Sequence, residues 1–413
     1  MTYGLIGEHL GHSFSPAIHE RLSGQPYGLR ELAPEELGVF LQNEAFVGVN
    51  VTIPYKKAVI PYLDALAPSA RETGAVNVIV RSKDGKLTGY NTDTDGFIAL
   101  ARHSGIDFCG ARVVILGAGG AAAAVAYGAR TLGAASVRYA VRTPNSPDQL
   151  WIGDPSLFAD CEILVNATPV GMFPGVKDKL MDIGLLPNLR GVLDCIYNPI
   201  RTNLVLDAQE RGIPAEGGIR MLAAQAVRAS ELFRSCTLEE STTDDICSFL
   251  MGSRRNIVLC GMPSCGKTTV ARALSSRLGK VFVDTDDIVR TNSGLDIKEI
   301  FARQGEEGFR RWERIAVEQA SDLSGAIIAT GGGTVLDAGN LRALRRNGLI
   351  VLLDRPAALL RPSPDRPLSH DRASLARLCS ERRGKYLAVA DVTVPNAGTV
   401  MEAVERISGL YDR

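Results

Sequence analysis

Two glycine-rich turns, each set between a short run of β-branched residues and a helical pattern, restrict this chain to architectures of parallel strands joined by helices. In the first, Val113-Val114-Ile115-Leu116 runs into Gly117-Ala118-Gly119-Gly120-Ala121-Ala122. In the second, Ile257–Cys260 runs into Gly261-Met262-Pro263-Ser264-Cys265-Gly266-Lys267-Thr268, which fits G-x-x-x-x-G-K-[ST]. A strand that ends in such a turn and opens a helix aims unpaired backbone N–H groups at one spot, where a phosphate can settle. The first turn has the form that holds a dinucleotide, the second the form that holds a nucleoside triphosphate. Two cradles of different type imply two reactions on one chain.

The same rhythm runs through most of the sequence. Val47–Ile53, Val76–Val80, Ser136–Val141, Ile163–Asn166, Gly191–Asp194, Ala326–Thr330 and Leu349–Leu353 read as short strands alternating with helices, so an α/β fold with largely parallel sheets is expected. Ala121 to Ala129 and Thr269 to Leu278 read as the helices leaving the two turns. Between Ser235 and Arg255 the rhythm lapses, and Glu239-Glu240-Ser241-Thr242-Thr243-Asp244-Asp245 is polar and acidic. The major boundary is expected there, as a short linker with a little helix in it. A softer boundary is expected near Gly96–Gly110.

At 413 residues the chain exceeds one ordinary core. Lys+Arg and Asp+Glu balance at 46 each, which gives no footing for nucleic acid or a membrane surface. The 8 cysteines are scattered without a C-x-x-C pair, against both a zinc site and a disulfide framework. No apolar run reaches the roughly 18 residues of a membrane helix, and Met1–Gly7 lacks the marks of a signal peptide. A cytoplasmic location is expected.

Residues near the cradles narrow the chemistry. The strand Ser136–Val141 ends at Arg142-Thr143. An acidic residue there would hold the ribose 2′-hydroxyl of NAD, whereas arginine accommodates a 2′-phosphate, so NADP is expected. Lys56 closes one strand and Asp93 follows another, and beside a nicotinamide the two could act as a proton relay. At the second cradle, Lys267 can reach the β/γ oxygens and the Thr268 hydroxyl can ligate Mg²⁺. Asp284 and Asp286 lie together at a strand end, beside the expected γ-phosphate. Phe309-Arg310-Arg311-Trp312-Glu313, Thr330-Gly331-Gly332-Gly333, Asp365-Arg366-Pro367-Leu368 and Arg382-Arg383-Gly384-Lys385-Tyr386 add arginines and a glycine triplet suited to anions. Cys265 reads as a small spacer, with a redox-sensitive thiol as the other reading.

Seven segments in order make Tyr3 to Phe233 resemble shikimate dehydrogenase: His12-Ser13-Phe14-Ser15-Pro16, Asn50–Lys56, Gly74–Asn77, Asn91-Thr92-Asp93, Gly117–Ala121, Asn166–Met172 and Gly218–Gln225. The resemblance implies reversible NADPH-dependent reduction of 3-dehydroshikimate to shikimate. It implies a substrate-binding α/β domain over 1–100, completed by a return helix over 219–235, and a Rossmann-type NADP domain over 101–218. Ser13 and Ser15 would hold the substrate carboxylate. Asn50, Thr52, Asn77, Asp93, Tyr197 and Gln225 would surround the ring, with Lys56 and Asp93 as the catalytic pair. Gly117, Ala118, Gly119, Gly120, Ala121, Arg142, Thr143, Thr168, Met172, Gly218 and Met221 would hold NADP. Val141 stands where the family often has asparagine, and no second basic residue follows Arg142.

Asn256 to Gly409 resembles shikimate kinase through the second cradle, Asp284, Asp286, Arg310, the glycine triplet, Arg366 and Arg382. That implies a linker over 236–254 and a P-loop kinase domain with a parallel sheet over 255–413. ATP would meet Gly261, Pro263, Ser264, Cys265, Gly266, Lys267, Thr268, Thr269 and Arg366, with Mg²⁺ at Thr268 and Asp284. Shikimate would meet Asp286, Arg310, Gly332, Gly333 and Arg382. Asp286 would help activate the acceptor hydroxyl, Lys267 and Arg366 would meet the transferring phosphoryl group, and Arg310 and Arg382 would clamp the carboxylate. Arg290 stands where the family commonly has an acidic residue, and the lid around Arg361–Asp365 is short and proline-rich.

The joint expectation is one chain for two consecutive steps on small-molecule substrates, with no nucleic acid, no membrane and the oligomeric state open. Two other readings stand beside it. One is a quinate/shikimate dehydrogenase fused to a related small-molecule kinase. The other is a non-catalytic shikimate-binding regulator, against which the retention of Lys56, Asp93, Lys267, Thr268, Asp284, Asp286 and Arg310 argues.

Overall fold

In the computed structural model, which describes residues 1–11, 13–362 and 371–411, 17 strands form three sheets. The first sheet holds β1 (Tyr3–Gly7), β2 (Tyr27–Glu31), β3 (Gly48–Val51), β4 (Ala65–Leu66), β5 (Val78–Arg81) and β6 (Leu87–Tyr90). The second holds β7 (Arg112–Leu116), β8 (Ser136–Val141), β9 (Gln149–Trp151), β10 (Ile163–Asn166), β11 (Gly191–Asp194) and β12 (Ala215–Glu216). The third holds β13 (Asn256–Cys260), β14 (Phe282–Asp284), β15 (Ile327–Ala329), β16 (Gly348–Asp354) and β17 (Val392–Pro395). The chain divides into two units, Met1–Cys247 with the first two sheets and Ser248–Arg413 with the third. The division falls within the helix Thr242–Arg254, so the expected linker over 236–254 carries a full helix and not a little of one. Among the described residues no helix is long and apolar enough to cross a membrane.

The second and third sheets are parallel throughout, in the orders β12-β11-β10-β7-β8-β9 and β14-β15-β13-β16-β17. Their central strands are continuous apolar runs because helices cover both faces. Val113, Ile115 and Val165 face one core with Val125 and Ala129, while Val114, Leu116 and Leu164 face another with Phe158 and Ala208. In the second sheet the order reverses between β7 and β10, the point at which such sheets open a ligand crevice. The first sheet is mixed within the largely parallel pattern. β5 runs antiparallel to both β3 and β6, and it turns into β6 through a tight hairpin at Asp84-Gly85, where Gly85 adopts φ 86°.

Two helices tie the first unit together. Asp93–His103 buries Phe97, Leu100 and Ala101 in the core of the second sheet. Ile219–Arg234 contributes Met221 to that core and Ala229 and Phe233 to a cluster with Leu5, Tyr27 and Val78 of the first sheet. The two helices cross at Gly96, where an added Cβ would stand 2.5 Å from the Met221 carbonyl oxygen. Since that atom is backbone, Gly96→Ala must push the helices apart. It is expected to cost about 2 kcal/mol, of the order measured for overpacked cores. Thermal melts should show the loss in the Met1–Cys247 unit and leave the transition of the other unit in place.

Candidate active sites

In the first unit, a cavity of ≈ 270 Å³ lies against the carboxyl end of β3 and the start of Ile219–Arg234. It gathers Ser13, Ser15, Asn50, Thr52, Lys56, Asn77, Asp93, Tyr197 and Gln225, all nine residues named above for the ring substrate. Lys56 Nζ donates to Asp93 Oδ2 at 2.6 Å, with both side chains mostly shielded from water. Asp93 Oδ1 accepts from Asn77 Nδ2 at 2.9 Å. The Asn77 amide is otherwise engaged by Thr92, whose N–H donates to Asn77 Oδ1 at 2.7 Å and whose hydroxyl accepts from Nδ2 at 3.1 Å. Asn77 therefore braces Asp93, and Asp93 braces the ammonium. A lysine held at a cavity wall in this way can meet oxygen charge as it develops and can deliver a proton. Tyr197 packs edge-on against Phe14, their ring centroids 6.0 Å apart.

The dinucleotide turn borders the same cavity, which Ala121, Gly218 and Met221 help to line. Gly117 ends β7 with φ 95°, and an added Cβ would stand 2.7 Å from the Thr168 methyl, so only glycine closes the switch point. Nothing lies within 4 Å of a Cβ built on Gly119 or Gly120, which leaves open space at the N-terminus of Gly120–Thr131 for a pyrophosphate. The residues therefore fit a dinucleotide. Ala118 sits within this turn. Arg142 and Thr143 are exposed just beyond β8, at the carboxyl edge of that sheet. Met172 is exposed and Thr168 donates to Asn166 Oδ1 through both N–H and hydroxyl.

Behind that loop is a group the sequence reading left aside. Asp194 at the end of β11 is fully buried and accepts from Asn166 Nδ2 at 3.0 Å, the Ile196 N–H at 2.9 Å and the Thr202 hydroxyl at 2.6 Å. Burial pushes its carboxyl up to about 7 despite those donors. Only its place at the end of an apolar strand hinted at a role. The native state thus keeps a proton that the unfolded chain releases around 3.8, so stability of this unit falls as pH rises from there to about 7. Asp194→Asn keeps an acceptor for Asn166 and Ile196 and offers a donor to Thr202, without the ionisation. It is expected to melt roughly 3 °C or more above the parent at pH 8, with the difference shrinking towards pH 4. Calorimetry across pH checks the sign.

In the second unit, the triphosphate turn leaves β13 at the centre of its sheet. Gly261, Ser264 and Gly266 all adopt positive φ, which curls the backbone around the open end of Lys267–Leu278. Lys267 is buried, and its Nζ donates to the Gly261 carbonyl at 2.9 Å and the Met262 carbonyl at 3.1 Å. Cys265 is fully buried and its carbonyl accepts from Asn396 Nδ2 at 2.6 Å, so it serves as loop packing. Pro263 is buried and Thr269 exposed at the same turn. The Thr268 hydroxyl donates to Asp284 Oδ2 at 2.9 Å, a hydroxyl and carboxylate donor set that suits hydrated Mg²⁺. Beside the turn, Met262, Leu352, Arg355, Pro356, Pro395 and Ala397 wall a mainly apolar cavity of ≈ 380 Å³, with room for a base and ribose.

Asp284 also caps the next helix through the Asp286 N–H. Asp286 is raised to about 6, first by burial and then by the neighbouring Asp284 charge, with Lys267 opposing. The glycine triplet fits between these groups. An added Cβ at Gly331 would stand 3.0 Å from Asp286 Oδ1, and one at Gly333 2.8 Å from Arg310. Arg310 donates to Glu313 at 2.8 Å and Glu306 at 3.0 Å, and buried Glu313 also accepts from the Thr334 hydroxyl at 2.7 Å. Gly332 is held from the other side, its carbonyl accepting from the Tyr386 hydroxyl and from Arg382 at 3.4 Å. Glu313 was legible only as an i,i+3 partner for Arg310. Arg290 pairs with Asp287 at 2.6 Å. Arg366 and lid positions 363–365 lie outside the described residues.

Comparison with known proteins agrees with both halves. The family described as shikimate dehydrogenase substrate binding domain matches residues 5–79, and the family described as shikimate kinase matches residues 263–409. Shikimate dehydrogenase (NADP(+)) of Clostridium beijerinckii is 34% identical over 261 residues, covering 60% of this chain and 96% of that protein. The protein of the same name from Chlorobaculum tepidum is 38% identical, covering 56% of this chain and 89% of its own length. Among solved structures, a chorismate mutase/shikimate 5-dehydrogenase fusion from Clostridium acetobutylicum matches with TM-score 0.56 and 31% identity over 60% of this chain and 96% of that one. Quinate dehydrogenase from Corynebacterium glutamicum, solved with NAD, matches with TM-score 0.53 and 29% identity over 60% of this chain and 98% of that one.

Proposed function

The chain belongs to the shikimate dehydrogenase family and carries a shikimate kinase domain beyond that part, and on this footing we propose that it performs two successive steps. The first reduces 3-dehydroshikimate to shikimate with NADPH. The second phosphorylates the 3-hydroxyl of shikimate with MgATP. The single observation that carries the reading is the Lys56–Asp93 pair in a cavity ringed by polar side chains, on a chain that also holds a complete triphosphate turn.

In the dehydrogenase step, bound NADPH supplies the hydride. Lys56 stabilises the oxygen as it gains alkoxide character and donates its proton, while Asp93 keeps the ammonium aimed. Ser13, Ser15, Asn50, Thr52, Tyr197 and Gln225 offer the hydrogen bonds that a polyhydroxylated carboxylate needs. Arg142, exposed after β8, supports the 2′-phosphate of NADP. In the kinase step, Mg²⁺ at Thr268 and Asp284 would neutralise phosphate charge. Asp286 accepts the proton of the attacking hydroxyl, Arg310 and Arg382 hold the carboxylate, and Lys267 exchanges its carbonyl partners for phosphate oxygens. Arg366 completes this proposal from the lid. A cytoplasmic location for both activities is part of the same proposal.

A coupled assay starting from 3-dehydroshikimate, NADPH and MgATP tests the reading. Lys56→Ala is expected to abolish NADPH oxidation and to spare phosphorylation of supplied shikimate, while Lys267→Ala does the reverse. Loss of both activities in either folded variant overturns the assignment of two sites. Running the dehydrogenase in the oxidising direction, with shikimate or quinate as hydride donor and NADP⁺ or NAD⁺ as acceptor, decides the quinate reading that the Corynebacterium glutamicum likeness keeps in play. Because Asp286 must be ionised to accept a proton, kcat/KM for phosphorylation is expected to fall as pH drops through about 6. Asp286→Asn should lower kcat roughly 100-fold or more.

A further inference from the structure

Tyr27 opens the edge strand β2, is 6% exposed and does not line the dehydrogenase cavity. Its hydroxyl nevertheless reaches a residue that does. It donates to Asn50 Oδ1 at 2.7 Å. The ring is clamped flat on His19, with centroids 4.5 Å apart and planes within 4°, and His19 in turn packs on Phe233 at 5.7 Å. Burial holds His19 down at about 4, so the stack is neutral at ordinary pH.

The consequence lies in the Asn50 carboxamide. An amide end facing a ligand can be an acceptor or a pair of donors, and the two ends have nearly the same shape. Here Oδ1 is engaged by the Tyr27 hydroxyl, and Nδ2 donates one hydrogen to the Asn77 carbonyl at 3.3 Å. The remaining Nδ2 hydrogen is left for the cavity that Asn50 lines.

We propose that Tyr27 is a positioning residue of the dehydrogenase site, seating the Asn50 amide in the orientation that the Asn77 carbonyl sets, so that the ring substrate meets an N–H donor and not a carbonyl. This rests on the dehydrogenase reading above. The substrate oxygen opposite Asn50 must then be an acceptor, met by an amide that Tyr27 holds in place without touching the substrate.

Tyr27→Phe removes one oxygen and keeps the stack. It is expected to raise KM for shikimate about fivefold, the scale of one hydrogen bond, with kcat, KM for NADP⁺ and phosphorylation within about twofold. In an Asn50→Ala background the same change should add nothing, since its effect passes through Asn50. Asn50→Asp tests the orientation independently, because a carboxylate keeps the Tyr27 bond but sets an oxygen against the substrate. It should raise KM for shikimate more than Asn50→Ala does. Tyr27→Phe with unchanged KM for shikimate, equal shifts in every parameter with a lowered Tm, or full additivity with Asn50→Ala each overturns the proposal. If Tyr27→Phe does not fold, Asn50→Asp decides, and tolerance of it overturns the orientation. A parent protein that fails to oxidise shikimate with NADP⁺ sinks the dehydrogenase reading itself, a result separable from all of these.

Discussion

A buried parallel strand stops at the point where the loops of its two neighbours diverge, and both candidate sites occupy the gap this leaves. There the chain must turn sharply while exposing N–H groups that have lost their ladder partners. Gly117 meets that demand with φ 95° and Gly261 with φ 139°. Neither position has room for a side chain, since a Cβ would stand 2.7 Å from the Thr168 methyl in one case and 2.8 Å from the Leu353 carbonyl in the other. Reacting side chains also follow carboxyl ends of strands: Lys56 comes after β3 and Asp93 after β6 in the first sheet, and Asp284 ends β14 in the third. Chemistry of two kinds thus hangs on one feature of strand geometry.

Around each gap the polar residues are largely committed to one another before any ligand arrives. Thr92 braces Asn77, Asn77 braces Asp93, and Asp93 aims Lys56. Thr334 and Glu313 do the same for Arg310, while Tyr386 and Arg382 hold Gly332. Such chains cost desolvation when the protein folds, but they spare reorganisation when charge moves.

The sheets were largely legible because continuous apolar runs betray strands buried on both faces. Ser136–Val141, Ile163–Asn166 and Gly191–Asp194 are strands with those bounds. Strand direction was less legible: the hairpin at Asp84-Gly85 that turns β5 back into β6 carries a turn signal but lies among ordinary polar residues. The helix Thr242–Arg254 was hidden by its acidic start, and only Ile246 and Leu250 bury deeply. At the sites, motif spacing pointed to the residues that line the first cavity. It could not reveal Tyr27, Asp194 or Asn396, because a polar residue that will be buried against another looks in sequence like one that faces water. Their partners are distant in the chain: 23 positions separate Tyr27 from Asn50 and 131 separate Asn396 from Cys265.

The helix Ile219–Arg234 sets an order on synthesis as well as on packing. Leu5, Tyr27 and Val78 of the first sheet share their cluster with Ala229 and Phe233. They leave the ribosome long before those partners exist, and the whole second sheet is made in between. One face of the earliest segment therefore stays wet through most of the unit's translation, and it closes only when the last helix arrives. The other face of the first sheet, whose core runs from Ile6 to Leu87, needs no such partner, so the two faces of one sheet close at opposite ends of the unit's synthesis.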